Sequence, residues 1–310
     1  MSKIIYILAF NITFLTILKI ELFCQCGCSS AQQFLPPLHW IGKSEFTIAA
    51  KKRLFLDLIY KHSLSNKIYK GSKSISSIDF FYHSFDLFAS YGFSNYSAID
   101  LFINYNLREL NQFQFVSKSS GFSHLSLGGR HTFYESENSD FIINAGLGVR
   151  LPLTKFKPID SIPIVVQPSN GAFGFYGFGL IQKSFPSLNL NLLFFNRFDY
   201  FFENNLDYQF GPTNSSSILI SLRISESLSA LLELRNIFSL QDKHIDTIFT
   251  NSGVNLLLVI PRATISFDNL SISPFCEIPI FQYYKGEQIA SKIAFGFNLN
   301  YLLNFSKRKL

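Results

Sequence analysis

The chain carries little charge for its length. Asp, Glu, Lys and Arg make up 15% of its 310 residues, whereas an average soluble protein has about 25%. Hydrophobic residues reach an ordinary 47%, but beyond the N-terminus no apolar run approaches the roughly 20 residues of a membrane-spanning helix. The apolar residues are therefore spread along the chain, which argues against a bundle of transmembrane helices.

Other features that the sequence lacks exclude further classes of protein. The net charge is +6, yet six basic residues lie at 51–53 and 307–309, so the excess is largely terminal and predicts no nucleic-acid partner. No linker and no solenoid repeat divides the chain, which indicates a single domain. Trp and Met occur once each, against 36 Phe and 14 Tyr.

The N-terminus has the pattern of a secretory signal peptide. Lys3 precedes an apolar stretch, Ile4–Ile20, which matches the charged and hydrophobic regions of such a signal. A retained membrane helix is the alternative, although polar residues interrupt the stretch. Cleavage is expected within 23–31. The chain is thus expected to divide into a signal peptide and Cys-rich start at 1–28 and a barrel domain at 29–310.

Three of the four cysteines, Cys24, Cys26 and Cys28, lie close together, far from Cys276. Three neighbouring thiolates are suited to a soft metal such as Cu(I) or Zn(II). They are equally suited to one strained disulfide, or are removed with the signal. A lipid-modified Cys24 fits less well, because Phe23 stands where a small residue is normally found. The metal site stays a hypothesis, and no cofactor is predicted.

The last strand-like segment shows a pattern that recurs along the chain. From Ile293 to Phe305 the odd positions are Ile, Phe, Phe, Leu, Tyr, Leu and Phe, while the even positions, apart from Leu302, are small or polar. A strand points alternate side chains to opposite faces. With a secretory signal in front, a recurring apolar and aromatic face predicts a transmembrane β-barrel that has lipid outside and water inside.

The pattern predicts twelve strands, each long enough to cross a bilayer, which takes about 10 tilted residues. The connections between them fall into a short and a long class, as expected of short periplasmic turns and longer external loops. The short ones are expected at 94–97, 135–140 and 186–187, and the long ones at 64–76, 111–120, 155–170 and 204–213. The strands are expected at 46–63, 77–93, 98–110, 121–135, 141–154, 171–185, 188–203, 214–225, 228–240, 253–267, 270–284 and 291–305.

Assigning the more apolar face of each strand to lipid turns the other face inward. Seven of the nine arginines then face inward, each on a different strand, whereas an Arg facing lipid at the bilayer midplane would cost about 2–4 kcal/mol. The residues predicted to line the lumen are Asp100, Arg108, His124, Arg130, Arg150, Arg197, Asp199, Glu203, Arg223, Glu233, Arg235, Arg262 and Glu277.

This charged set has two interpretations. It is either a salt-bridge network that fills a narrow lumen or a constriction that selects polar or anionic solutes. The segment 155–170 bears on the choice, because Pro158, Pro163 and Pro168 exclude a central strand there. It is expected either to fold inward as a constriction loop or to cap the barrel from outside.

The sequence offers few signs of catalysis. None of the six histidines stands in a Gly-x-Ser-x-Gly, His-Glu-x-x-His or comparable motif. His124 and Ser126 form the least implausible catalytic pair, but residues two apart on one strand are poorly placed for proton transfer. A polar lining explains them better, so no enzymatic activity is predicted.

Several short motifs resemble those of a group of Bacteroidetes outer-membrane transporter-like proteins, related in style to the MetA-pathway phenol-degradation channel family. The resemblance covers roughly residues 24–305. Near the start, Cys24-Gln-Cys-Gly-Cys28 and Phe34-Leu-Pro-Pro37 are similar to the family's Cys-x-x-Cys-Gly-Cys element and the Leu-Pro segment that follows it. Gly121-Phe-Ser-His124 is similar to the family's Gly-x-Gly-Asp strand, and Gly146–Lys155 is similar to its Gly-Leu-Pro-Thr-Gly-Lys hairpin. Gln167-Pro-Ser-Asn-Gly171 is similar to its Gln-Pro-Gly-Thr-Gly turn. His124 replaces Asp, the hairpin lacks its second Gly, and the first Cys spacing is one residue shorter. The resemblance implies a barrel that transports small molecules.

The sequence therefore predicts an all-β protein, a single antiparallel transmembrane β-barrel in the outer membrane of a diderm bacterium. The expected function is that of a channel or facilitator that passes a small-molecule solute through a polar lumen lined by Arg and carboxylates. The first alternative is a closed structural or adhesive barrel that works through its loops, and a soluble lipid-binding β protein is the second. Outer-membrane lipid is the other expected partner, and the oligomeric state is not determined by the sequence.

Overall fold

Alternation of apolar and polar side chains sets the strands of the protein. In the computed structural model, which describes residues 51–112, 115–158, 161–245 and 247–305, twelve strands form one closed antiparallel barrel. These are β1 (Arg53–Gly71), β2 (Lys73–Gly92), β3 (Ser97–Gln112), β4 (Phe115–Glu135), β5 (Phe141–Pro152), β6 (Gly174–Phe185), β7 (Leu190–Phe201), β9 (Thr213–Arg223), β10 (Leu228–Ser239), β13 (Val254–Phe267), β14 (Leu270–Ile289) and β15 (Ile293–Asn304).

Three two-residue strands form a separate small sheet. They are β8 (Tyr208–Gln209), β11 (Lys243–His244) and β12 (Thr247–Ile248), with β11 in the centre. Two short 3-10 helices, Ile164–Val166 and Pro186–Leu188, complete the regular structure of the described residues. No helix among these residues is long and apolar enough to cross a membrane.

The barrel closes where its first and last strands meet. β1 pairs with β15 from Arg53 opposite Asn304 to Leu64 opposite Ile293, and its other edge pairs with β2. Closure leaves no free strand edge, so backbone donors and acceptors are paired between strands, as a lipid environment requires. The predicted fold class, a single antiparallel barrel of about twelve strands, is confirmed.

The two ends of the barrel differ. At one end, here called the turn end, the connections span 93–96, 136–140, 186–189, 224–227 and 268–269, and β1 begins and β15 ends there. At the opposite end, the loop end, lie the long connections 153–173, 202–212 and 240–253. Short turns on the same side as the start of the first strand and the end of the last match the periplasmic side of outer-membrane barrels.

Two predicted loops are strand instead. The segment 64–76 is taken up by β1 and β2, which turn within 71–73, and 111–120 belongs largely to β3 and β4. The residues concerned are rich in Ser and Lys, so the apolar alternation that identifies a strand in lipid is missing there. Backbone pairing continues past the apolar band into water, where it needs no apolar face. The other two long connections, 155–170 and 204–213, do lie in loops.

The outward-facing side chains form an apolar surface. Leu147 is 75% exposed, Phe133 68% and Ile99 54%, although exposing large apolar groups to water is unfavourable. Exposed aromatic residues lie near both ends of the strands, as in the aromatic girdles of membrane barrels. Tyr91, Phe93, Tyr96, Phe267 and Tyr301 lie near the turn end, and Phe122, Phe175, Phe202, Phe281 and Tyr283 near the loop end.

The proposed division of the chain near residue 28 lies outside the described residues, as do Cys24, Cys26 and Cys28. Both therefore stay predictions. Within the described residues the barrel begins at Arg53.

Candidate functional site: the barrel interior

The structure places most of the residues predicted to line the lumen inside the barrel. Arg130 and Arg262 have side chains only 16% and 7% exposed. The others are buried, namely Asp100, Arg108, His124, Arg150, Arg197, Asp199, Glu233, Arg235 and Glu277. These residues come from seven neighbouring and opposite strands, so closure of the sheet brings them into one interior.

Two of the predicted lining residues lie elsewhere. Glu203 follows the end of β7 and is exposed in the connection at the loop end, and Arg223 is the exposed last residue of β9 at the turn end. These two residues are therefore not part of the buried interior. Both lie at a rim of the barrel, where solvent reaches a side chain on either face, and Arg223 is exposed although it still pairs with Ser229.

One ionic cluster joins β1, β10, β13 and β14. Glu233 accepts a hydrogen bond from Arg235 Nε at 2.7 Å and lies 3.7 Å from Arg262 Nη2. Arg235 Nη1 also donates to Glu277 at 3.1 Å, and Lys61 Nζ lies 3.6 Å from the other oxygen of Glu277. Three cations and two carboxylates thus alternate across four strands, which compensates the cost of removing these charges from water.

A second cluster lies on β5, β6 and β7. Asp199 pairs with Arg150 Nη2 at 2.5 Å and with Arg197 Nε at 3.0 Å. The Tyr176 ring lies beneath Arg197, with the guanidinium carbon 4.2 Å from the ring centroid, so part of the charge faces the ring electrons. A Cβ at Gly148 would lie 2.5 Å from this ring. The glycine on β5 therefore makes room for the tyrosine against the wall.

The interior charges are unevenly distributed around the barrel. The arc from β3 to β7 contributes four guanidinium groups, Arg108, Arg130, Arg150 and Arg197, but only two carboxylates, Asp100 and Asp199. In this arc Arg130 Nε lies 3.6 Å from Asp100 and Arg130 Nη2 donates to Ser90. The strands of this arc therefore carry an excess of positive charge. The other interior carboxylates, Asp57, Asp86, Glu233 and Glu277, lie on β1, β2, β10 and β14.

Reasoning from sequence missed two interior charges on β1. Asp57 is fully buried and Lys61 is 5% exposed. Asn298 Nδ2 donates to Asp57 at 3.3 Å, and Arg262 donates to the side-chain oxygen of Asn298 at 3.4 Å. Both faces of β1 carry large apolar residues at Leu54–Ile59, so the alternation there does not tell the inner face from the outer one.

The interior is not polar throughout. Val254, Leu256, Leu258 and Ile260, alternate residues of β13, face inward and pack with Ile237 and Phe275. A second apolar group, Phe55, Phe88 and Phe102 with Leu302, lies toward the turn end. The interior therefore combines charged clusters with groups of packed apolar side chains.

The segment after β5 folds into the barrel. Val165 and Val166 are 2% and 0% exposed and pack against inward-facing residues of β1, β2, β3 and β14, including Ile68, Phe80 and Leu110. Of the two positions open to the 155–170 segment, the inward one is therefore observed. It fills the interior toward the loop end.

A cap of three connections closes the loop end. Phe156 stacks on Tyr208, Phe210 meets both of these rings edge to face, and Phe249 packs on Tyr208. Asp242 is 2% exposed and accepts hydrogen bonds from the Tyr208 hydroxyl at 2.6 Å and the Gly211 amide at 2.7 Å. Burial raises the pKa of the Asp242 carboxyl from 3.8 to about 6, because removal from water disfavours the charged form.

The predicted pair His124 and Ser126 is not joined by a hydrogen bond. His124 contacts Ser123 Oγ at 2.7 Å and Asn170 Oδ1 at 2.5 Å, whereas Ser126 Oγ has no hydrogen-bond partner in this part of the chain. The His124–Ser126 pair is therefore not set up for proton transfer. No group of three or more His, Cys, Asp or Glu suited to a metal occurs in the described ranges, and Cys276 is a free thiol.

Comparison with known proteins supports the fold. No family model and no curated protein matches the sequence. Among solved structures, an outer membrane channel from Pseudomonas putida F1 is similar, with a TM-score of 0.67 and 10% identity over 82% of this chain and 96% of that one. The translocator domain of the autotransporter NalP from Neisseria meningitidis has a TM-score of 0.46 and 10% identity over 80% and 88%. The NanC porin has a TM-score of 0.46 and 7% identity over 79% and 98%.

The first of these similarities establishes the architecture. Its TM-score of 0.67 extends over nearly the whole of the Pseudomonas channel. The twelve-strand barrel is thus the fold of outer-membrane barrels of Gram-negative bacteria, in agreement with the predicted localisation.

Proposed function

We propose that the protein is an outer-membrane channel or facilitator for small molecules. Solutes pass through the barrel interior along the Arg and carboxylate side chains of the charged clusters. Outer-membrane lipid surrounds the apolar outer face. The solute class is polar or anionic, and the protein has no enzymatic activity.

The observation that carries this proposal is the charge buried inside a barrel whose outside is apolar. Six arginines lie inside, although burying a charge is costly even when it is paired. A barrel that served only as a scaffold would be filled as well, or better, by apolar side chains. Ionisable residues within a membrane protein commonly mark the path of a solute or ion.

The charge distribution supports the preference for anions. Four guanidinium groups face two carboxylates in the arc from β3 to β7, so the local potential attracts negative solutes and repels cations. The neutral side chains between them, such as Asn104, Asn106 and Asn144, supply hydrogen-bond donors and acceptors for a hydrated solute.

Planar-bilayer recording of the folded protein tests the proposal. Folding is first checked by the heat-modifiable migration typical of intact barrels, and reversal potentials are then measured in a KCl gradient. We expect discrete conductance steps and a reversal potential that indicates selectivity for anions over cations. Arg150→Gln should shift the reversal potential toward lower anion selectivity. Ser120→Ala, at an exposed position of β4, should leave the reversal potential unchanged.

A second candidate function is a closed barrel that acts through its loops. The packed interior and the inward-folded 161–171 segment favour it. Under this alternative, neither the natural protein nor a variant that lacks 161–169 conducts at any voltage. Such a result, obtained with protein that shows heat-modifiable migration, would disprove the channel proposal.

A further inference from the structure

The inward-folded segment is held by a row of hydrogen-bond donors on the barrel wall. Arg108 Nη1 donates to the Val165 carbonyl at 3.1 Å, and Asn106 Nδ2 donates to the Pro168 carbonyl at 2.9 Å. Ser119 Oγ donates to the Val166 carbonyl. All three donors come from neighbouring positions of β3 and β4, where Arg108 pairs with Ser119 in the strand register.

His124 extends the row along β4. Its Nε2 lies 2.5 Å from Asn170 Oδ1, and its Nδ1 lies 2.7 Å from Ser123 Oγ. Asn170 Oδ1 also accepts from the Ala172 amide, so this oxygen serves as the acceptor toward the ring. Four side chains of the barrel wall thus form hydrogen bonds with four oxygen atoms of one segment.

The segment is built to present those oxygens. Pro163 and Pro168 remove backbone donors and fix an extended entry and exit. Gln167 braces the turn from within, because its side chain bonds both the amide and the carbonyl of Lys157 at 2.7 and 2.8 Å. Gly121 of β4 has no side chain, so Pro168 can approach the strand closely; a Cβ at this position would lie 3.3 Å from Pro168.

The four acceptors have the chemistry of a carboxylate-bearing molecule. Carbonyl and amide oxygens accept hydrogen bonds as carboxylate oxygens do, but without the negative charge that pairs most strongly with a guanidinium. The two oxygens of a solute carboxylate would therefore accept hydrogen bonds from neighbouring donors of this row, most strongly from Arg108, and a second carboxylate on the same molecule would extend the contact along the row.

We propose that the donor row of β3 and β4, Asn106, Arg108, Ser119 and His124, is a binding site for small carboxylate solutes, and that residues 162–170 occupy this site in the closed channel. Solute and segment compete for the same donors, so binding withdraws the segment and opens the path. The inference rests on the proposed channel function and names the class of solute that the channel passes.

Thiol labelling of the segment tests this competition without relying on conductance. Val166→Cys is introduced into a variant in which the four natural cysteines are replaced by Ser. This protein is then folded into liposomes. Labelling by a membrane-impermeant reagent is followed while succinate is added at constant ionic strength. We expect slow labelling without succinate and a saturable increase of about tenfold with it, the ratio that corresponds to roughly 1.4 kcal/mol.

Variants separate specific competition from general loosening. Arg108→Gln should raise the succinate concentration for half-maximal labelling by about tenfold or more, because it removes a charge-assisted hydrogen bond. Ser119→Ala should speed labelling without succinate, whereas Ser120→Ala, whose side chain faces outward, should change neither. Erythritol replaces succinate as the neutral control. If Arg108→Gln lacks heat-modifiable migration, Asn106→Ala takes its place, with a smaller increase of about fivefold expected because the hydrogen bond lost is a neutral one.

The outcomes for the two proposals differ. Fast labelling without solute, or a response that is the same for erythritol and succinate, would overturn the binding site even if the protein conducts. Succinate-dependent labelling in a protein that never conducts would support the site and refute the channel.

Discussion

At the scale of single residues, Glu233 holds the larger ionic cluster together. It is 1% exposed and accepts hydrogen bonds from Ser217 at 2.8 Å and Arg235 at 2.7 Å, with Arg262 at 3.7 Å. Glu233 thus compensates the charge of Arg262 and, together with Glu277, that of Arg235. In a buried cluster the loss of one partner is worse than the loss of the whole set, because an uncompensated charge remains.

We therefore expect Glu233→Gln to lower the free energy of unfolding by about 3–5 kcal/mol, the usual cost of breaking a buried ion pair. Urea unfolding of the barrel in lipid vesicles measures this loss. Glu226→Gln, in the exposed turn before β10, is the matched control and should stay within about 0.5 kcal/mol of the natural protein. Equal stability of the two variants would show that the cluster is not what stabilises the interior.

At the scale of elements, the loop end depends on contacts between connections that are distant in sequence. β8 lies in the 202–212 connection, and β11 and β12 lie in the 240–253 connection. Asp242 bonds Tyr208 across this junction, and Asn204 bonds the Asn170 carbonyl at 2.9 Å. The cap therefore joins the inward segment to two further loops.

The raised pKa of Asp242 makes the cap sensitive to pH. Because the folded carboxyl, with a pKa of about 6 rather than 3.8, holds its proton more tightly than the unfolded one, the unfolded chain loses its proton first as the pH rises. The contribution of the Asp242 carboxyl to the stability of the cap is thus fully present below pH 3.8, and it is lost as the pH rises through about 6. We expect amide hydrogen exchange in 202–212 and 240–253 to be faster at pH 8 than at pH 4 after correction for intrinsic rates.

Asp242→Asn is the control for this pH dependence. The amide keeps an acceptor for Gly211 but cannot ionise, so the corrected exchange rates should become independent of pH between 4 and 8. An undiminished difference in this variant would assign the effect to another group.

At the scale of the whole molecule, the medium around the barrel decides the stability of its surface. Leu147 on β5 is 75% exposed, midway between the two ends of its strand, and Ile245, in the loop-end connection, is 68% exposed. In water the two positions would tolerate a charge equally. In a bilayer only the loop position remains in contact with water.

We expect Leu147→Arg to lower the free energy of unfolding in lipid vesicles by about 2–4 kcal/mol, as for Arg at the midplane of a membrane barrel. Ile245→Arg should have an effect within about 0.5 kcal/mol. Unfolding in vesicles, with tilt and insertion checked by resistance to protease, provides the measurement. A tolerated Leu147→Arg would mean that lipid does not contact this face.

The sequence by itself determined the number of strands and, except for β1, the face that each turns outward within the apolar band. This follows because a lipid-facing residue must be apolar and the period of a strand is two, so each strand is specified locally. The same argument predicted nine buried interior residues and the largely buried Arg130 and Arg262. It did not predict the exposure of Glu203 and Arg223, which lie at the rims of the barrel, where solvent reaches both faces.

Only the tertiary structure decided which charges pair and where the 155–170 segment lies. Arg235 and Glu277 are 42 residues apart, and Arg108 meets Val165 across 57 residues. Such contacts depend on closure of the sheet and on the register of neighbouring strands, which no local pattern encodes. For the same reason the sequence marked the segment as irregular through its prolines, but its inward position is fixed by donors that β3 and β4 bring together only once the barrel has closed.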